Sequence, residues 1–299
     1  MNVDARTLRA IALQRTPGFN FPGYFLGLAF DDVGAGFARL SLDAGDWNTD
    51  RDGQVNLGPV ALLADIALAT SVRSAVGAGA RLATVTMNLQ LTGASRLGRL
   101  QATTHFDGFV AGRAERQGLA HGEIVAGGTR VATMQGSFMA IGDANATAAH
   151  PLPKRDEQAG ATLAEHELTD AEREVLRHAR DCAMPGERTF IERFWGYAPE
   201  TTQDGATCEA WNGAHVGNRV GHAQGGFTFG LAATTATAAL PAGWALVGAS
   251  AWYIGPGIGR TLTARSQVIH RGSLTGVVRT RIEDEAGRGV LEVVSSHAR

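Results

Sequence analysis

The stretch NLGPVALLADIALATSV, Asn56 to Val72, decides how this chain is read. It is apolar almost throughout, yet it carries one carboxylate, Asp65. Helical spacing puts Asp65 on a face with Ala61, Leu62, Leu68 and Ala69, none of which can pair with it. No Lys or Arg stands between Asn56 and Val72, and Arg73 is two turns away. Burying an unpaired carboxylate costs several kcal/mol, or the group neutralises. Asp65 therefore either reaches water at a helix edge or has a chemical task.

The stretch has a counterpart in the second half, QGGFTFGLAATTATAAL, Gln224 to Leu240. Aligning Asn56 with Gln224, 168 positions later, puts Gly58 on Gly226 and Asp65 on Ala233. A period of half the chain means duplicated domains and not a solenoid. The segments after the two helices are also alike. ATVTMNLQLTGA, 83–94, alternates, with Val85, Met87, Leu89 and Leu91 on one face and Thr84, Thr86, Asn88 and Gln90 on the other. That pattern predicts a half-buried strand. ALVGASAWYIGP, 245–256, holds the same place, with Val247, Ala249, Ala251 and Tyr253 on the corresponding face. Each half closes with a hairpin, the second turning at Glu285-Ala286-Gly287.

These patterns divide the chain into a lead-in helix (1–21), a first unit carrying the acid (22–142), a linker (143–194) and a second unit (195–299). The linker includes LTDAEREVLRHAR, 168–180, a solvated helix capped by Thr169 or Asp170. The fold class is α+β: in each unit a long helix, apolar on all sides, is wrapped by an antiparallel sheet.

Composition bounds the function. The 299 residues suit one large domain or two of ordinary size, and 44% apolar residues supply a full core. A formal charge of −2 gives no global basic bias towards nucleic acid or acidic membranes. The only cysteines, Cys182 and Cys208, form no CxxC and point to a reducing compartment. The N-terminus lacks the pattern of a signal peptide, and no uninterrupted apolar run reaches membrane-spanning length. The expectation is a soluble, cytoplasmic protein with no nucleic-acid or membrane partner. No Cys/His cluster has metal-ligand spacing, so no metal is expected. GAGAR at Gly77 follows a helix and makes a poor phosphate loop, and GGFTFG holds no serine elbow.

The runs NLGPVALLADIALA, TVTMNLQLTGASRLGRLQATTHFDGF and IVAGGTRVATMQGSF resemble the PaaI-like acyl-CoA thioesterases, a hotdog-fold family. The resemblance covers roughly 22–142 and 195–298. The family motif is His-Gly-Gly, a few apolar residues, then Ala-Asp. Here Asn56 stands at the histidine position, Leu57 and Gly58 at the glycines, and Asp65 at the catalytic carboxylate. The second half keeps the glycines, with Gln224 at the histidine position, and loses the acid. The resemblance implies a tandem (double) hotdog, an internal version of the family's dimer. It implies hydrolysis of an acyl-CoA to free acid and CoA, with Asp65 as general base or nucleophile.

Thioester hydrolysis also needs a donor for the developing oxyanion, and a helix N-terminus offers unpaired N–H groups and a favourable dipole. Gly225 and Gly226 open the second helix and would fill that role. In the dimeric family the glycine N–H and the acid come from different units. Carried over, one complete site joins Asp65 to Gly225, while the reciprocal pairing of Ala233 with Leu57 lacks the acid. One working site per chain is expected. Gln224 would hydrogen-bond the thioester or the water. His222 and Asn218 would line the mouth, Asn56 would cap its helix or touch substrate, and Thr84 and Thr86 would bring a hydroxyl towards the acid. Arg96, Arg99, Arg113, Arg260 and Arg271 are candidates for a basic rim around the CoA phosphates. Phe227, Phe229, Trp252 and Tyr253 are candidates for shaping the acyl pocket. No cofactor is implied beyond the coenzyme A of the substrate. The expected partners are an acyl-CoA small molecule and a second copy of the chain, in a homodimer. Two other readings stay open. One is a non-catalytic acyl-CoA or fatty-acyl binding hotdog, since the first-half His-Gly-Gly is degraded. The other is an enoyl-CoA hydratase-type hotdog, whose Asp has a His a few residues later; Asp65 has none.

Overall fold

The structure is a computed structural model that describes residues 2–15, 20–77, 80–110, 117–141 and 162–299. The 142–161 part of the linker and Arg113 lie outside the described residues. The first half runs α1 (Val3–Arg15), α2 (Phe21–Leu26), β1 (Ala29–Gly34), β2 (Phe37–Asp43), α3 (Leu57–Val76), β3 (Arg81–Leu91), β4 (Arg99–Phe109), β5 (Gln117–Ala126) and β6 (Thr129–Ile141). The second runs α4 (Asp170–Ala183), α5 (Phe190–Phe194), β7 (Glu200–Thr202), β8 (Gly205–Trp211), α6 (Gly225–Ala238), β9 (Ala245–Tyr253), β10 (Thr261–Arg271), β11 (Thr275–Asp284) and β12 (Gly289–Ala298).

Element by element the halves correspond, and β2 and β8 keep the 168-residue offset at both ends. The repeat is longer than the matching sequence stretches, because α1 and α2 recur as α4 and α5. The α4 helix starts where expected. Thr169 caps it by accepting from the Glu172 N–H (3.3 Å), while the Glu172 carboxylate accepts from the Thr169 N–H (2.8 Å). It is not solvated all round, however. Val175, Leu176, Ala179 and Cys182 are buried on one face, and α4 packs on α1. Arg15–Glu172 (2.6 Å) and Arg180–Asp4 (2.9 Å) tie the two helices at their ends.

All strands join one antiparallel sheet in the order β1-β2-β4-β5-β6-β3-β9-β12-β11-β10-β8-β7. The halves meet at the β3–β9 ladder, from Thr86 opposite Trp252 to Gln90 opposite Gly248. Across that seam Asn88 Nδ2 donates to Ser250 Oγ (2.7 Å). Both long helices lie on the inner face and pack against each other. Helix α3 is long and apolar enough to cross a bilayer by length and composition, but 72% of the qualifying window is buried inside the protein. Asn56 caps it, its Oδ1 accepting from the Gly58 N–H (3.0 Å).

Glycine sets the helix–helix approach. A Cβ at Gly226 would overlap the Leu62 backbone, and one at Gly230 would lie 2.6 Å from Gly58 Cα. These two close contacts obey the same 168-residue relation, so the helices cross about the pseudo-twofold of the duplication.

One strand departs from strict alternation. Thr84 pairs with Phe138 but Thr86 pairs with Ser137, so Val85 is the extra residue of a β-bulge. The bulge re-aims the side chains before it. Thr84, expected on the face opposite Met87 and Leu89, turns inward towards α3.

Candidate active site

Asp65 sits in the middle of α3 where that helix meets the N-terminal tip of α6. The residue is only 5% exposed. Its carboxylate accepts from Thr84 Oγ1 (2.9 Å) on one oxygen and from Gln224 Nε2 (2.6 Å) on the other. The Gly226 N–H is a third donor. The acid comes from the first unit, whereas Gln224 and Gly226 come from the second.

Each donor is oriented by its own element. Gln224 is the N-cap of α6, and its Oε1 accepts from the Phe227 N–H (3.1 Å). That cap bond commits the carbonyl end of the amide to the helix and leaves the NH₂ end for Asp65. Gly225 is the first residue of α6, and a Cβ on it would lie 3.0 Å from Asp65 Oδ2. Its carbonyl accepts from Thr228 Oγ1 (2.9 Å) and from the Tyr253 hydroxyl (3.0 Å). Its N–H has no hydrogen-bond partner among the described residues. That group is one of the orphan donors of a helix start. Burial, and then the nearby Asp65, push the Tyr253 phenol well above its usual range, so it stays a donor.

Burial raises the Asp65 pKa to about 6, against the opposing pull of Thr84, Gln224, the Gly226 N–H and Arg73. A carboxylate of that basicity accepts a proton near neutral pH far more readily than an ordinary aspartate. Beside it opens a cavity of about 510 Å³ whose wall includes Asp65, Thr84, Gln224, Gly225 and Tyr253. A basic group, an unpaired N–H and a space for a reacting carbonyl therefore converge.

The structure brings Asp65, Gln224, Gly225, Gly226 and Thr84 together. His222 and Asn218 also line the cavity. Asn218 shapes the loop before α6, its Oδ1 accepting from the Val220 and His222 N–H groups (2.9 and 3.1 Å). Asn56 and Thr86 are not brought to the site. Asn56 caps α3 outside the cavity, and Thr86 lies across the bulge from Thr84, sharing a hydrogen bond with Ser137 Oγ (2.8 Å). Of the aromatic candidates only Tyr253 faces the cavity. Phe227 and Phe229 are core residues, and Trp252 is 48% exposed.

None of the described arginines expected at the rim lines this cavity. Arg96 pairs with Asp50 (3.3 Å), Arg99 with Asp43 (2.8 Å) and Arg260 with Glu174 (3.3 Å), while Arg271 lines a separate depression. Arg73, Arg81 and Arg219 line it instead. Sequence spacing held a signal for Arg73, which stands eight residues after Asp65 and so on nearly the same helix face. Arg219 lies in the loop between Asn218 and His222, both expected at the mouth.

At the reciprocal junction Ala233 replaces the acid and is 1% exposed. Aromatic side chains fill the space beside Gly58, where a Cβ would lie 2.6 Å from Tyr197 Cε2 and 2.9 Å from Trp195 Cζ3. The Tyr197 hydroxyl donates to the Phe227 carbonyl (2.8 Å), which fixes the ring there. Among the described residues no group of three or more His, Cys, Asp or Glu converges as a metal site would.

No protein-family model matches the chain, and no curated protein sequence matches it. Solved structures do. A candidate oleoyl thioesterase from Lactobacillus plantarum superposes with a TM-score of 0.54 at 13% identity, covering 91% of this chain and 98% of the other. A candidate thioesterase from Novosphingobium aromaticivorans gives 0.54 at 15% identity, again over 91% and 98%. A conserved protein of unknown function with a hot dog fold from Alicyclobacillus acidocaldarius gives 0.53 at 8% identity, over 91% and 95%. Likeness at this identity concerns the fold, and with the duplicated helix-and-sheet unit it makes this chain a double hotdog.

Proposed function

We propose that the protein is an acyl-CoA thioesterase of the PaaI-like type, with one composite active site per chain. The observation that carries this reading is the buried Asp65 carboxylate of one unit held against the unpaired Gly225 N–H of the other. The thioesterase names of two solved structures with the same double fold support it. In the proposed reaction the thioester carbonyl oxygen accepts from the Gly225 N–H at the positive end of α6. Asp65 takes a proton from a water that attacks the carbonyl carbon. The tetrahedral oxyanion stays on the helix tip, then collapses. The C–S bond breaks, and CoA leaves as a thiolate that gains a proton. Direct attack by Asp65, giving a mixed anhydride that water then cleaves, uses the same geometry. Gln224 holds the carboxylate in line, and His222 and Asn218 border the mouth. The reciprocal junction, with Ala233 and the Trp195–Tyr197 plug, is the inactive member of the pair.

The protein would work without a cofactor, in the cytoplasm, as a homodimer of chains. Its two free thiols, both buried, are compatible with a reducing compartment.

Thiol release from a panel of short, long and aromatic acyl-CoAs tests the proposal. Wild type should release CoA from at least one of them, and Asp65→Asn should lower kcat by at least about a thousandfold. Full activity in Asp65→Asn would remove the acid from the mechanism. Stabilisation by acyl-CoA without turnover would mark a binding protein. A change in enoyl-CoA absorbance without thiol release would mark a hydratase.

A further inference from the structure

Asp65 is the only Asp or Glu lining the 510 Å³ cavity, whereas three arginines, Arg73, Arg81 and Arg219, share its wall. They come from three places: the penultimate turn of α3, the first residue of β3, and the loop before α6. Arg73 is half-buried, and its Nε donates to the Ala80 carbonyl (3.3 Å). That bond anchors the guanidinium plane and leaves its two terminal nitrogens to the cavity. Neither Arg73 nor Arg81 is in an ion pair with a described carboxylate within 4 Å.

We infer that Arg73, Arg219 and Arg81 form an anion subsite that receives an oxyanion group of the substrate two helical turns from Asp65. The inference rests on the thioesterase reading only for what else the substrate carries. The group is a carboxylate or a phosphate, because a guanidinium fork matches both. It comes either from the far end of the acyl group or from the thiol carrier.

The energetics favour an anion. Arg73 is pulled down to about 10 by burial and then by the charge of Arg219, so it remains protonated at neutral pH. Arg219 is likewise lowered by burial and then by Arg81. Cations that raise one another's cost in a shared, partly desolvated space become favourable neighbours once an anion sits among them. The spacing fits an extended ligand. Eight helical residues separate Asp65 from Arg73, about 12 Å along the α3 axis at 1.5 Å per residue. One end of a substrate would meet the acid while the other meets the arginines.

The test compares matched thioesters. Acyl groups of equal length ending in methyl or in carboxylate are attached to CoA or to N-acetylcysteamine, a thiol without phosphates. Arg73→Met should raise KM at least about tenfold for substrates bearing the recognised anion, with kcat nearly unchanged. Arg73→Lys should recover part of the loss. Arg81→Gln, at an exposed strand end where folding is not at risk, should cost about threefold, and the effects should shrink at high salt. A preference for carboxylate over methyl on N-acetylcysteamine assigns the anion to the acyl group. A preference for CoA over N-acetylcysteamine that Arg73→Met abolishes assigns it to the phosphates. Calorimetric titration of Asp65→Asn with free CoA and with glutarate reads the subsite without turnover, so it separates this inference from the proposed activity. Weaker binding of either probe on adding Arg73→Met supports the subsite. Unchanged KM and unchanged binding in both arginine variants would overturn it.

Discussion

In the unfolded chain the Asp65 carboxyl titrates near 3.8, and in the folded protein near 6. The folded state therefore holds the proton more tightly, and stability falls as pH rises between those values. Above pH 6 the full penalty applies, on the order of 3 kcal/mol at 1.36 kcal/mol per unit. Asp65→Asn removes it. An Asn in the same rotamer can still accept from Gln224 and donate to the Thr84 oxygen. The variant should melt several degrees above wild type at pH 8, and the advantage should vanish towards pH 4, as followed by thermal unfolding. An Asp65→Asn protein less stable than wild type at pH 8 would contradict the burial argument. In wild type, turnover should fall below about pH 6 as the base protonates. The importance of Asp65 was legible in the sequence because a lone acid in an apolar helix has no bland explanation once it is buried. The donors were less legible. Thr84 reaches the acid only through the bulge at Val85, and period-two reading puts its side chain on the wrong face. No residue type in that strand announces the bulge.

At the scale of elements, the tip of α6 does two jobs through two adjacent glycines. Gly226 lets the helix touch the α3 backbone, whereas Gly225 leaves room beside the Asp65 carboxylate. The two should therefore fail differently. Gly226→Ala drives a Cβ into backbone that cannot yield, and should destabilise the fold by about 3 kcal/mol or more. Gly225→Ala meets a side chain that can move. It should change stability little while cutting kcat at least about tenfold, because the carboxylate is displaced from the reacting position. Denaturant melts and initial rates on both variants check this, and equal behaviour would contradict the division of labour. The glycine pair itself is plain in the sequence. Its second role is not, because close packing against Leu62 depends on how the helices cross, and single-chain spacing says nothing about crossing. The α4 helix shows the same limit. Thr169 and Glu172 mark its start clearly, but the charges that suggested a solvated helix occupy only one face.

For the whole molecule, duplication built two junctions and sequence drift kept one. The offset of 168 residues, read from two short stretches, carries through helices α1 and α2 and both halves of the sheet. The asymmetry was readable from Ala233 in place of an acid. The plug was not, because Trp195 and Tyr197 lie far from α3 in sequence and reach Gly58 only in the fold. A non-hydrolysable acyl-CoA analogue should accordingly titrate one site per chain, and two equivalent sites would refute the assignment of a dead junction. The most direct measurement of the central claim is a crystal structure of Asp65→Asn with an acyl-CoA substrate trapped in it. The account predicts the thioester carbonyl oxygen within hydrogen-bond distance of the Gly225 N–H, its carbon beside residue 65. A thioester bound away from the α6 tip, at the Gly58 junction or on the outer face of the sheet, would contradict it.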